Sequence, residues 1–189
     1  MLEVALPVRP NGSTGFVRSS DVSLSTHRAR IVVDLGAHRV TAWEEVAEGA
    51  VALGANATPT PPGEFYMNEV QEQDDADTLF GSWIIGLSGF SETLPLTDGM
   101  DPAIVLHGTN DPSLLGTDVS EGYIRMHDDV IARLAQLPAG TPSRSGPEGR
   151  RSGSVERGVV GVGGHLSEQS SLPCQHGGPE AHRISSGDI

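Results

Sequence analysis

Short apolar runs alternate with turn residues through the first seventy positions, a pattern typical of β-strands. The segment "LEVALPVRPNGSTGFVRSSDV" has apolar stretches on both sides of Asn11-Gly12, and "ARIVVDLGAHRVTAWE" has them on both sides of Gly36. Asn-Gly favours the positive φ of tight turns, so both segments predict hairpins. The next segment, "GAVALGANATPTPPGEFYMNEV", continues the strand pattern and breaks between Pro59 and Gly63. Three strand-turn units in succession predict a β-rich fold.

The middle of the chain adds two further strands and a helix. "SWIIGLSGF" and "PAIVLHG" are apolar runs of strand length that follow the acidic segment 71–81, which is interpreted as a loop. Between Met126 and Leu137 the apolar residues have helical spacing, and Pro138 ends the pattern. Asp128 and Asp129 suit the start of this helix, because carboxylates are stabilised at the positive end of a helix dipole.

Composition narrows the class of protein. A length of 189 residues suits one domain with appendages. The net charge of −13 argues against binding to nucleic acid or to anionic membranes, which are themselves negative. Neither an apolar run long enough to span a membrane nor a secretory signal is evident, so we expect no membrane segment. The single Cys174 excludes a disulfide framework and a thiolate zinc site within the chain.

The amino-acid composition changes near the C-terminal end of the sequence. From residue 143 the chain is rich in Gly, Ser and Pro and has no sustained period, a composition that cannot form a core by itself. The predicted organisation is therefore an N-terminal β lead-in over 1–27, a domain over 28–142 and a tail over 143–189. The tail is interpreted either as a disordered extension or as the product of a shifted reading frame, with a final strand of the domain lost.

Three separated motifs carry a resemblance to a known family. "PTPPGEFYMNEV", "IVLHGTNDPSLLG" and "SEGYIRMHDDVIARLAQLPAGTP" resemble, in order and spacing, the catalytic domain of the L,D-transpeptidases, which cross-link peptidoglycan. The segment "LPVRPNGSTGFVRSSDV" is similar to the lead-in of actinobacterial members. The resemblance implies a β-sandwich of mixed sheets with one helix after the active-site motif. It also implies peptidoglycan stem peptides as partners, and neither cofactor nor metal.

The resemblance assigns the roles of the family's site residues to individual positions of this chain. Its members transfer an acyl group between stem peptides through a thioester on a cysteine, which an adjacent base activates. The resemblance places the base at His107 and the nucleophile at position 123, where this chain has Tyr123. The other implied site residues are Gly122 for the oxyanion-forming backbone, Ser120 and Arg125 for orienting base and substrate, and Gly108 for substrate binding.

Tyr123 is a poor replacement for a nucleophilic cysteine. A free thiol has a pKa near ~8.5 and a phenol near ~10, and a thiolate attacks carbonyl carbon far better. The phenol oxygen also lies well beyond the place of a cysteine sulfur, and a misplacement of about 1 Å already costs roughly a hundredfold in rate. We therefore expect acyl transfer by this chain to be impaired, which would make it a pseudoenzyme within the family that it resembles. Reaction with carbapenem β-lactams is expected only if a thiol is restored.

Several interpretations stay open at the level of sequence. The chain is an impaired transpeptidase, a non-catalytic module that binds stem peptides, or the product of a decaying gene. His107 also suits a plain strand-end role, and a metal site at His107 and His127 is disfavoured because their spacing is not that of zinc ligands. The cleft is expected between His107 and Gly122, beneath a lid formed by 71–81. Family members work outside the membrane, whereas the missing signal segment predicts a cytoplasmic chain or a truncated start.

Overall fold

The computed structural model describes residues 1–26, 28–43, 47–96 and 99–147. Within these ranges, none of the helices is both long and apolar enough to cross a membrane. The α-helix α1 spans Asp128–Leu134, and short 3-10 turns lie at Ser19–Asp21 and Pro112–Leu114. The strands are β1 Leu2–Ala5, β2 Thr14–Val17, β3 Arg30–Asp34, β4 Arg39–Trp43, β5 Ala47–Gly54, β6 Gly63–Glu72, β7 Trp83–Phe90, β8 Ala103–His107, β9 Asp118–Ser120, β10 Ile124–Met126 and β11 Pro142–Gly146.

The main sheet closes on itself. Its strand order is β10-β8-β7-β6-β11-β3-β4-β5-β9, and β10 also pairs with β5. The pairs β10–β8 and β11–β3 are parallel, whereas most other pairs are antiparallel, so the sheet is mixed. Closure satisfies the edges that an open sheet would expose. The predicted mainly β fold with mixed sheets and one helix is confirmed, and the predicted sandwich takes a closed, barrel-like form.

The core fills the inside of this closed sheet and extends under α1. Alternating strand residues such as Ile31, Val33 and Leu106 are buried because successive side chains of a strand point to opposite faces. On α1, Ile131 and Leu134 are buried at helical spacing. The helix is shorter than the predicted 126–137, because Met126 belongs to β10 and the N–H groups of Gln136 and Leu137 bond three residues back instead of four. Leu137 still packs into the core.

The N-terminal hairpin is docked onto the main sheet. Gly12 has the positive φ (84°) expected for the turn between β1 and β2. The Asn11 side chain instead bonds the backbone of Phe90, donating to its carbonyl at 2.9 Å and accepting from its N–H at 2.9 Å. Arg9 forms an ion pair with Asp101 at 3.2 Å. The lead-in is therefore attached by side chains that imitate backbone pairing and by one ion pair.

The main sheet continues past residue 142, where the sequence predicts the end of the domain. Pro142–Gly146 forms β11 and lies between β3, to which it is parallel, and β6, to which it is antiparallel. Ser143 and Ser145 are buried, and the Ser145 hydroxyl donates to the Pro61 carbonyl at 2.6 Å. Neighbours on both sides satisfy the strand's backbone, so it needs no apolar pattern of its own. The final strand is thus present, while 148–189 and Cys174 lie outside the described residues.

Candidate active site

His107 ends β8 and is wholly buried. Its Nδ1–H donates to the Gly108 carbonyl at 2.6 Å, which leaves Nε2 as the bare nitrogen of the neutral ring. Nε2 is buried and has no hydrogen-bond partner among the described residues. Burial lowers the pKa of His107 from 6.5 to about 4; the bond to Gly108 opposes this shift, and the charge of Arg125 adds to it. At neutral pH the side chain is therefore an uncharged imidazole with an available lone pair.

Parallel pairing of β8 with β10 brings the second motif to His107. Arg125 is in register with His107, and Ile124 with Leu106. Tyr123 directly precedes β10, and its ring lies edge-on to the imidazole with centroids 6.0 Å apart and planes at 86°. Two residues sixteen positions apart in the sequence thus meet at one end of adjacent strands. The fold thus brings together His107 and Tyr123, the residues at the two positions that the resemblance singles out.

A hydrogen-bonded turn holds position 123. The Ser120 hydroxyl donates to the Tyr123 carbonyl at 2.6 Å and accepts from the Gly122 N–H at 3.1 Å. Gly122 has φ of 106°, which only glycine adopts readily. Thr60, whose role the sequence did not reveal, donates to the Gly122 carbonyl at 3.0 Å. Ser120 and Gly122 therefore shape the turn that presents residue 123.

The segment between β6 and β7 covers His107. The Phe80 ring packs against the imidazole with centroids 5.0 Å apart and planes at 62°. Asn110, which follows β8, donates to the Asp77 carbonyl at 2.7 Å and ties the same segment down. The predicted loop over 71–81 begins later, since β6 continues to Glu72. Phe80 has no motif around it, and only the folded chain reveals its contact with His107.

Arg125 and Gly108 occupy different surroundings. The Arg125 Nε atom is buried and has no hydrogen-bond partner among the described residues. Gly108 packs against the Asp128 carboxylate so closely that an added Cβ would collide with Oδ1. Gly108 is thus closely packed against Asp128, while Arg125 keeps a donor available. His127, weighed as a metal ligand, caps α1 by accepting from the Asp129 N–H at 3.4 Å.

Comparison with known proteins identifies the family. The L,D-transpeptidase catalytic domain (YkuD) matches residues 28–144, more than half of the chain, and the chain belongs to this family. The YkuD protein of Bacillus subtilis (strain 168) is 36% identical over 92 residues, which cover 48% of each chain. The YkuD protein of Bacillus licheniformis is 34% identical over 116 residues, covering 59% of this chain and 62% of that protein.

Both relatives come from one genus, and the match covers only part of each of them. The chain spans about half to three-fifths of the length of the two Bacillus proteins. Their source gives no support to the predicted actinobacterial kinship. Among solved structures, the catalytic domain of the E. faecium L,D-transpeptidase has 22% identity and a TM-score of 0.42, covering 65% of this chain and 98% of that one.

We expect His107 to make the fold sensitive to acid. The unfolded chain binds a proton on this residue as pH falls through 6.5, whereas the folded chain does so only near 4. The free energy of unfolding should therefore fall between these pH values, by about 3 kcal/mol. Urea unfolding of the wild type and of His107→Gln at pH 7.5 and 4.5 measures this. The variant should lose about 3 kcal/mol less on acidification, and equal losses in both proteins would contradict the buried neutral imidazole.

Proposed function

We propose that this chain is an L,D-transpeptidase-family domain that receives peptidoglycan stem peptides but is impaired in acyl transfer, because Tyr123 occupies the position of the nucleophile. The family acts by forming and resolving an acyl-enzyme, which needs a nucleophile within reach of a base. In this chain the base is retained in a reactive form and the thiol is replaced by a phenol.

The observation that carries the proposal is the pairing of His107 with Tyr123. The Nε2 atom is bare, buried and without a hydrogen-bond partner among the described residues, which is the state a general base requires. The Tyr123 ring stands beside it in place of a sulfur. A phenol with a pKa near ~10 is seldom ionised at neutral pH, and its oxygen is carried to the far end of the ring. Acyl transfer through residue 123 is therefore disfavoured on grounds of both pKa and position.

A non-catalytic binding module is the second candidate, and Arg125 favours it. Its buried Nε has no hydrogen-bond partner among the described residues, and Arg binds carboxylates through such donors. Stem peptides carry carboxylates, so Arg125 is a suitable anchor for them in the same cleft. Under this alternative the chain retains substrate and makes no bond to it.

Two measurements on the wild-type chain test the proposal. Intact-mass spectrometry after incubation with a carbapenem should show no adduct at residue 123, since no thiol is present there. Calorimetric titration with a tetrapeptide stem should give saturable heat, and Arg125→Met should weaken this binding at least tenfold, the loss of about 1.4 kcal/mol.

Each outcome separates the candidates. A stoichiometric adduct on Tyr123 would refute the proposal that acyl transfer through residue 123 is impaired. Saturable binding together with slow cross-linking of tetrapeptides above background would favour the impaired enzyme, whereas saturable binding with no covalent product would favour the binding module. Absence of saturable heat from the folded protein would refute stem-peptide binding and favour the decaying gene.

A further inference from the structure

We propose that Asp128 is a positioning residue for His107. Its carboxylate fixes the backbone at Gly81 and Gly108 and thereby holds the imidazole in the tautomer with a bare Nε2. The inference rests on the site described under the proposed function, but it concerns the state of His107 and not the transfer or binding of a substrate.

Asp128 contacts the segment that covers the site. The Ser82 N–H donates to both carboxylate oxygens, at 3.0 Å and 3.3 Å. Gly81 has φ of 66°, and an added Cβ there would collide with Asp128 Oδ1. The carboxylate therefore lies directly against the backbone of Gly81 and Ser82. Phe80, the residue just before them, is the one that packs on the imidazole.

The same carboxylate also packs against Gly108. A Cβ added to Gly108 would collide with Asp128 Oδ1 and would lie 3.1 Å from Gly81 Cα. Two glycines and one carboxylate thus pack together without room for another atom. Gly108 also donates its N–H to the Trp83 carbonyl at 3.4 Å, which joins it to the start of β7.

Gly108 is also the hydrogen-bond partner of the His107 ring. The Gly108 carbonyl is the acceptor of the Nδ1–H bond, at 2.6 Å. Which ring nitrogen carries the proton is set by the bond that the other nitrogen makes. A shift of Gly108 would weaken this bond and allow the proton to move to Nε2. The carboxylate that fixes Gly108 therefore also determines whether Nε2 is bare.

The contacts of Asp128 differ from those of its neighbour Asp129, which also lies at the start of α1. Asp129 lies in the same first turn of α1, where its charge has the same favourable relation to the helix dipole. The Asp129 side chain is 87% exposed and pairs only loosely with His127, at 3.7 Å. Asp128 is the member of the pair whose carboxylate turns toward Ser82. The contacts of Asp128 thus exceed what a helix start requires.

The test reads the tautomer of His107 directly, by NMR of the protein labelled with ¹⁵N-histidine. The wild type and Asp129→Ala should show one neutral form at pH 7, with Nδ1 protonated and Nε2 bare. Asp128→Ala should lower the ratio of this tautomer to the other about tenfold, the order expected when a supporting hydrogen bond is lost. Assignment of the signals uses His107→Gln.

Two conservative variants make the test independent of folding in Asp128→Ala. Asp128→Asn keeps an oxygen for the Ser82 N–H and the size of the side chain, so the wild-type tautomer should be retained. Asp128→Glu keeps the charge but adds a methylene that cannot fit against Gly81 and Gly108, so the ratio should fall. The proposal is overturned if Asp128→Glu keeps the wild-type ratio or if Asp128→Asn loses it. Failure of peptide binding or acyl transfer leaves this measurement unchanged, so the two proposals fail separately.

Discussion

Tyr123→Cys is expected to convert the chain into one that a carbapenem acylates stoichiometrically, with a rate at least about a hundredfold above that of the wild type. The substitution puts a sulfur on the turn that Ser120 and Gly122 hold, next to the bare Nε2 of His107. A thiol with a pKa near ~8.5 is within reach of deprotonation by a neighbouring imidazole, whereas a phenol is a much weaker acid and nucleophile. Removal of the Tyr123 ring also opens space beside His107.

The controls for this gain of reactivity use the same background. Cys174→Ser is introduced into every protein so that any adduct is assigned to residue 123. Adding His107→Gln to Tyr123→Cys should slow acylation by roughly 10²–10⁴, the contribution of a positioned general base. Tyr123→Ala opens the same space without a nucleophile and should form no adduct. A folded Tyr123→Cys protein that stays unmodified would show that the site lacks more than its sulfur.

A chain that ends at Thr141 is expected to lose cooperative folding. It lacks β11, which has four residue pairs with β3 and four with β6 in the closed sheet. Each backbone hydrogen bond contributes about 1 kcal/mol, and domains of this size are stable by roughly 5–15 kcal/mol in all. Without β11 the sheet also gains two exposed edges, which favour association between chains. Loss of β11 therefore removes an amount comparable to the total stability.

The matched control for this truncation is a chain that ends at Pro147. It retains β11 and every other strand that the structure describes. Thermal unfolding followed by circular dichroism should show one cooperative transition for the chain ending at Pro147 and none for the chain ending at Thr141. A cooperative transition of similar midpoint in both would mean that β3 and β6 do not depend on β11.

Local pattern was sufficient for most strands and for the helix. β3 and β4 were predicted from two β-branched runs around Gly36, and β7 and β8 from apolar runs of strand length, because burial of alternate or successive side chains leaves a period in the sequence. The helix α1 followed from the helical spacing of its apolar residues, with Asp128 and Asp129 in its first turn, although it ends at Leu134, before Pro138. The matching motifs around His107 and Tyr123 gave the family and the two central positions of the site.

The tertiary structure decided what local pattern does not encode. Pro142–Gly146 has no apolar period, and it becomes a strand because β3 and β6 supply hydrogen-bond partners on both sides. Phe80 and Asp128 reach the site only because the segment before β7 folds over the end of β8. The sequence by itself determined which segments bury their side chains and which residues can react. Packing between distant segments determined the closed sheet, the burial of His107 and the cover over it, since these depend on contacts that no single stretch of chain contains.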